Sequence, residues 1–151
     1  MRDKKFVAEH RGGPLKKEQH YQLIELACEY VEHVLPLITD KIDERLLNAI
    51  NVARAWKQGK ATVGDARKAS LDAIMVARES NDFITIAVAR AVGHAVATAH
   101  MADHSLVAAW YALKAGKSAG KLIDVERNWQ DEQLPIEIKE LFLSARNEKK
   151  I

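Results

Sequence analysis

With 151 residues, 48% hydrophobic and 29% charged, the chain has the size and composition of one globular domain and not those of a disordered segment. Its 23 basic and 21 acidic side chains leave a formal charge of +2, too little to supply the phosphate contacts on which nucleic-acid affinity rests. The single cysteine, Cys28, excludes an intramolecular disulfide and, inside an apolar helical run, suits a buried reduced thiol in a cytoplasmic protein.

Residues 1–14 read as an irregular arm that is charged, lacks the apolar stretch of a secretory signal and ends in the turn Gly12-Gly13-Pro14. Leu23, Ile24, Ala27, Val31, Val34 and Leu35 then recur at helical spacing, and Pro36 marks the end of that helix. Asp40 is placed to cap a second helix whose stripe Leu46, Leu47, Ile50, Ala53 and Trp56 runs up to Gly59. A third helix over 65–79 carries a stripe of small residues: Ala66, Ala69, Ala73, Val76 and Ala77.

Asn81 or Asp82 caps a fourth, Ala-rich helix, and Asp103 or Ser105 offers a cap for a fifth that begins with Leu106, Val107, Ala109 and Trp110. Whether the chain breaks or only bends near Asp103 stays open at this level. Gly116 and Gly120 interrupt the fifth helix, while 122–133 can continue it as a polar helical piece with Val125 and Trp129. Pro135 suits the first position of a last helix with Ile138, Leu141, Phe142 and Ala145 on its buried face, and the charged tail 147–151 is expected to fray.

No stretch alternates apolar and polar residues with β-branched enrichment, so no sheet is expected. The reading is one all-α domain over 1–151, a compact bundle of about six helices, mostly antiparallel and up-and-down. Residues 83–102 have membrane length, but Arg90 near their middle and the dominance of Ala fit the buried central helix of a bundle better than a lipid span.

The sequence lacks the nucleophile elbow, phosphate-binding loops, His-Glu-x-x-His and paired cysteines, and no cofactor is implied. The unusual feature is the fourth helix, where Arg90, His94, His100 and His104 interrupt an apolar run, because burying such groups costs free energy unless each is paired. At 100° per residue Arg90, His94 and Thr98 share one stripe, with His104 near it if the helix continues. Arg90 is expected to form a structural ion pair with Asp65 or Asp72; the sharper alternative places Arg90 and His94 at the floor of a cleft for an anionic group. His100 and His104 have the i, i+4 spacing of two metal-binding imidazoles but lack an obvious third ligand, so satisfied or interfacial histidines are the simpler reading. Asp65 suits a helix start with Arg67 projecting outward, and Trp56 is a candidate interface anchor.

Three stretches together, Lys5-Phe6-Val7-Ala8-Glu9-His10-Arg11-Gly12-Gly13, Gly64-Asp65-Ala66-Arg67-Lys68-Ala69 and Ala89-Arg90-Ala91-Val92-Gly93-His94-Ala95-Val96-Ala97-Thr98-Ala99-His100, resemble the bacterial immunity proteins that carry a helical immunity-protein-like domain. The likeness continues through Ala102-Asp103-His104-Ser105 and Tyr111-Ala112-Leu113-Lys114-Ala115. It implies an all-helical, cytoplasmic antidote that binds a cognate toxin domain and blocks it without catalysis of its own; the binding surface expected for it lies at the ends of helices two to five, with Trp56, Arg67, His100 and His104 as candidate contacts. The +2 charge departs from the acidic surface that complements a basic nuclease toxin. Two other readings stand beside it: a small-ligand or metal site around Arg90, His94 and His104 in a helical bundle, and a homodimer joined through Ala-rich faces.

Overall fold

The computed structural model describes residues 3–151. Seven α-helices form it: α1 (Lys17–Val34), α2 (Glu44–Lys57), α3 (Val63–Glu79), α4 (Phe83–Ala97), α5 (His104–Ser118), α6 (Ile123–Glu132) and α7 (Ile136–Lys149). No strand is present among the described residues; the nearest approach is an isolated parallel bridge between Ala8 and Leu15 in the N-terminal arm.

The all-α expectation holds, while the count of about six helices and the simple up-and-down bundle do not. The extra helix arises at Gly120, whose positive φ of 82° ends α5 and lets 122–133 start afresh as α6 instead of prolonging it. The bundle is organised around α4, which packs against α1, α2, α3 and α5 together. That position follows from its sequence: Ala87, Val88, Ala89, Ala91, Val92, Ala95 and Val96 leave only a narrow polar stripe, and a helix apolar on most of its circumference is buried.

Small side chains remove little apolar area from water, so each contributes less than a leucine would, at about 0.8 kcal/mol per buried methylene. Close backbone approach compensates through dense contact. Gly93 shows how close: a Cβ there would come within 2.9 Å of Ile74 Cγ1 on α3. The Gly93 carbonyl accepts a 2.9 Å hydrogen bond from the Ser70 hydroxyl, tying α3 to α4. The alanines of α4 are thereby buried inside one chain.

Caps refine the helix starts. Asp43, not Asp40, caps α2 and accepts from the Arg45 N–H. At α3 the helix begins two residues earlier than expected, because Thr62 and Asp65 form a reciprocal capping box: the Asp65 N–H donates to Thr62 Oγ1 at 3.0 Å and the Thr62 N–H to Asp65 Oδ2 at 2.9 Å. Asp82 caps α4, and Pro135 occupies the cap, not the first turn, of α7.

The N-terminal arm is ordered by burial, not by length of secondary structure. Two single 3₁₀ turns, Lys4–Phe6 and Glu9–Arg11, carry it, and Phe6 and Leu15 enter the core. Gly13 permits the fold-back, since a Cβ there would lie 2.0 Å from the Val7 carbonyl oxygen. The tail expected to fray is helical to Lys149, and Lys5–Glu148 and Lys149–Asp3 ion pairs hold it to the arm at 3.1 and 3.7 Å.

Candidate functional site

The break that the sequence left open falls immediately after α4. Residues 98–103 form a turn in which the Thr98 hydroxyl donates to the His94 carbonyl at 3.1 Å and the Ser105 hydroxyl to the Ala102 carbonyl at 2.7 Å. Because α5 then runs back along α4, His94, His100 and His104 are brought together although they span the turn.

The Nδ1 atoms of His94 and His104 lie 2.9 Å apart, and their rings are 5.1 Å apart at 27°. One Nδ1 must carry the proton and the other accept it, so this contact requires at least one neutral imidazole. His100 stands 5.2 Å from His104, tilted. On the other side of His94 the Tyr111 ring stacks at 5.6 Å and 12°, and the Arg90 guanidinium sits 5.9 Å over that ring. A row of π-systems thus runs Arg90, Tyr111, His94, His104, His100 along the seam between α4 and α5.

The row has few acids. Burial, reinforced by the facing His104, pushes His94 down to about 4. His100 is also pushed down to about 4, first by burial, then by His104, Arg67 and Arg11, against a smaller opposing pull from Asp103. His104 is lowered by burial as well. The His100 Nδ1 is buried with no hydrogen-bond partner among the described residues, a situation that costs about 1–3 kcal/mol.

Arg90 departs from the expected ion pair. It is exposed, and neither Asp65 nor Asp72 reaches it: Asp65 is held by Thr62, and Asp72 pairs with Lys68 at 3.6 Å. The apolar run around Arg90 suggested burial, but position 90 falls on the outward stripe of α4. There it helps line a groove of about 260 Å³ between α4 and α5 with Phe83, Ile86, Tyr111, Lys114 and Lys117, and no carboxylate faces it. Lys114 Nζ lies 4.0 Å over the Trp110 ring, and Phe83 is 78% exposed.

A second concavity opens at the bundle end beside His100. This cavity of about 140 Å³ is walled by His10 and Arg11 of the arm, His20 of α1, Trp56 of α2 and His100 of the turn. His20 Nε2 donates to the Thr98 carbonyl at 2.6 Å, and its ring packs 4.8 Å from Trp56, which Tyr21 meets edge-on at 5.4 Å. Trp56 is thus half-buried in an aromatic cluster. Arg67, exposed near the start of α3, is close enough to act on His100.

Of the residues singled out in the sequence, the structure gathers Arg67, His94, His100 and His104 at one end, leaves Arg90 farther along the row, and places Asp65 in the first turn of α3, where it bonds back to the cap residue Thr62. His100 and His104 are not joined by a third ligand: among the described residues no group of three or more His, Cys, Asp or Glu side chains is placed to hold a metal ion. His10, Arg11 and Tyr111 were missed as site residues. Their signal was the quoted stretches at 5–13 and 111–115, which periodicity alone does not connect to α4.

The family model for the Imm-5 like putative immunity protein matches residues 13–137. The chain belongs to this family. No curated protein and no solved structure matches it. Within this Imm-5 like chain the matched region includes α1 to α6 and both faces of the α4–α5 seam. No described helix is long and apolar enough to cross a membrane, which disposes of 83–102 as a helical span.

Proposed function

We propose that this protein acts as an immunity protein by binding a cognate toxin domain through the α4–α5 groove, blocking the toxin by occlusion and without catalysis of its own, in the cytoplasm. The observation that carries the reading is the groove itself. Arg90, Lys114 and Lys117 line it without an ion pair among the described residues, beside the exposed Phe83 ring. Unpaired cations next to an exposed aromatic form the usual anchor of a protein interface.

Charge complementarity then selects an acidic toxin surface and not a basic nuclease face. The chain's balanced net charge fits this, since the basic character is local to the groove. A ligand or metal site around Arg90, His94 and His104 has less support: Arg90 rests on Tyr111, and the His94 and His104 Nδ1 atoms occupy each other.

Co-expression with the toxin-like product of an adjacent gene tests the reading. Rescue of growth and co-purification are expected for the wild-type chain, and loss of both for a folded Arg90→Ala/Lys114→Ala double variant. A double variant that still rescues and co-purifies would overturn the assignment of the groove.

A further inference from the structure

We infer that the cavity at the end of the bundle is a binding site for a small phosphoryl-type oxyanion, held by Arg11, His10 and His100 with Arg67 adding positive field. The site is separate from the α4–α5 groove and does not depend on the toxin-binding reading.

The donor set comes from distant parts of the chain. His10 and Arg11 are delivered by the arm, which is fixed in place by buried Phe6 and Leu15 and by the Glu9 N–H to Leu15 carbonyl hydrogen bond of 2.9 Å. His100 is delivered by the turn after α4, and Arg67 by the N-terminal part of α3. Donors arriving from several directions suit a tetrahedral group with oxygens on all sides better than a flat carboxylate.

No carboxylate lines the cavity. Asp103, the acid that acts on His100, already accepts the Asp3 N–H at 3.1 Å. Neither Arg11, Arg67 nor His10 forms an ion pair among the described residues. His20 is not a donor here: its Nε2–H is spent on Thr98, leaving Nδ1 as an acceptor, so it serves with Trp56 as a wall. Burial first, and then His104, Arg67 and Arg11, keep His100 neutral, and an anion between Arg11 and His100 would offset the smaller, repulsive part.

Size limits the ligand. Pockets that enclose a drug-sized molecule measure roughly 300–1,000 Å³, so 140 Å³ admits only a small group. An adjoining recess of about 260 Å³ shares His10, His20 and Trp56 and adds Tyr21, an aromatic surface on which a flat ring attached to the phosphoryl group would rest; Lys17 and Glu9 also line it, with a Glu9 carboxylate oxygen accepting the Lys17 N–H at 3.3 Å.

The test follows the histidine ring and Trp56 indole resonances of the full-length chain by NMR during titration with inorganic phosphate, then with a nucleoside monophosphate. Saturable shifts confined to His10, His20, Trp56 and His100 are expected, with affinity falling about tenfold or more in Arg11→Gln, as loss of one charge-assisted hydrogen bond implies. Arg11 is exposed, so its loss leaves the fold intact; His100→Gln supplies a second variant with the same expected loss. Arg78→Ala, at the opposite end of α3, is expected to bind as wild type. Tighter binding of the nucleotide than of phosphate identifies the aromatic recess as part of the site, and equal binding identifies the free anion as ligand. Non-saturable shifts, shifts spread over all basic surfaces, or unchanged affinity in both Arg11→Gln and His100→Gln would overturn the inference.

Discussion

Two parts of this molecule bury polar groups, and they treat them in opposite ways. At the α6–α7 corner the buried polar groups pair with one another, and only Arg146 Nε is left without a partner among the described residues. The Tyr30 hydroxyl donates to the Gln130 carbonyl at 2.6 Å, Gln130 Nε2 donates to the Ala109 carbonyl at 3.1 Å, and Arg146 donates to Asp131 at 2.7 Å and to Gln130 Oε1. His33 pairs with the buried carboxylate of Glu126 at 2.6 Å while its ring stacks on Trp129 at 3.5 Å. At the α4–α5 turn the histidines face one another and arginines instead, and His100 Nδ1 faces nothing. Paired burial fixes a fold; unpaired cations and imidazoles at a rim store capacity to bind.

The contrast can be broken most strongly at Arg146. Arg146→Ala leaves Gln130 Oε1 and the half-buried Asp131 carboxylate without their donor, and urea denaturation is expected to show about 2–3 kcal/mol lost, the worth of hydrogen bonds to a charged group. A loss below about 1 kcal/mol would mean the corner is not the fixed region described. Gly93→Ala comes next, at about 1–3 kcal/mol, because the new methyl pushes Ile74 off its position between α3 and α4. Tyr30→Phe removes one hydrogen bond and leaves the Gln130 carbonyl without that donor, an expected cost of about 1 kcal/mol in the same assay.

Acid sharpens the comparison. His94, His100 and His104 all have folded pKa values below the unfolded 6.5, so between 6.5 and about 4 the unfolded chain binds more protons. Stability is therefore full above 6.5 and falls as pH drops toward 4, by up to about 1.4 kcal/mol per pH unit for each group that titrates. His94→Gln is expected to flatten that slope, measured as the midpoint of urea unfolding at pH 7, 6 and 5; a slope equal to wild type would place the proton uptake elsewhere. The smallest stability effect belongs to Arg90→Ala, within about 0.5 kcal/mol of wild type because the side chain is exposed and unpaired by acids.

The helices were largely legible because 3.6-residue periodicity survives in α1, α2, α3 and α7, where Leu, Ile and Ala recur on one face. Periodicity failed where another rule decided. Gly120 split α5 from α6 through its positive φ, and the Thr62–Asp65 box began α3 early. Glu126, Gln130 and Arg146 were invisible as core residues, since a polar side chain is buried only if partners from other helices meet it, and those partners are not adjacent in the chain. The same holds for the site. Arg90, His94, His100 and His104 stood out against an apolar run, but the run made Arg90 look buried when only its neighbours are. Cys28 behaved as its setting suggested: burial pushes its thiol up to about 12, which leaves it unreactive.

The alanines of α4 govern more than the interior. Helix axes separated by small side chains lie at the short end of the usual range of roughly 8–10 Å. Whatever α3, α4 and α5 carry outward is then crowded into a narrower strip than leucine packing would allow. Arg67, Arg90 and Lys114 sit on three neighbouring helices, and a thinner interior raises the number of positive charges per unit of surface without adding one to the sequence. Methyl groups that never meet solvent in this way set the strength of the electric field outside.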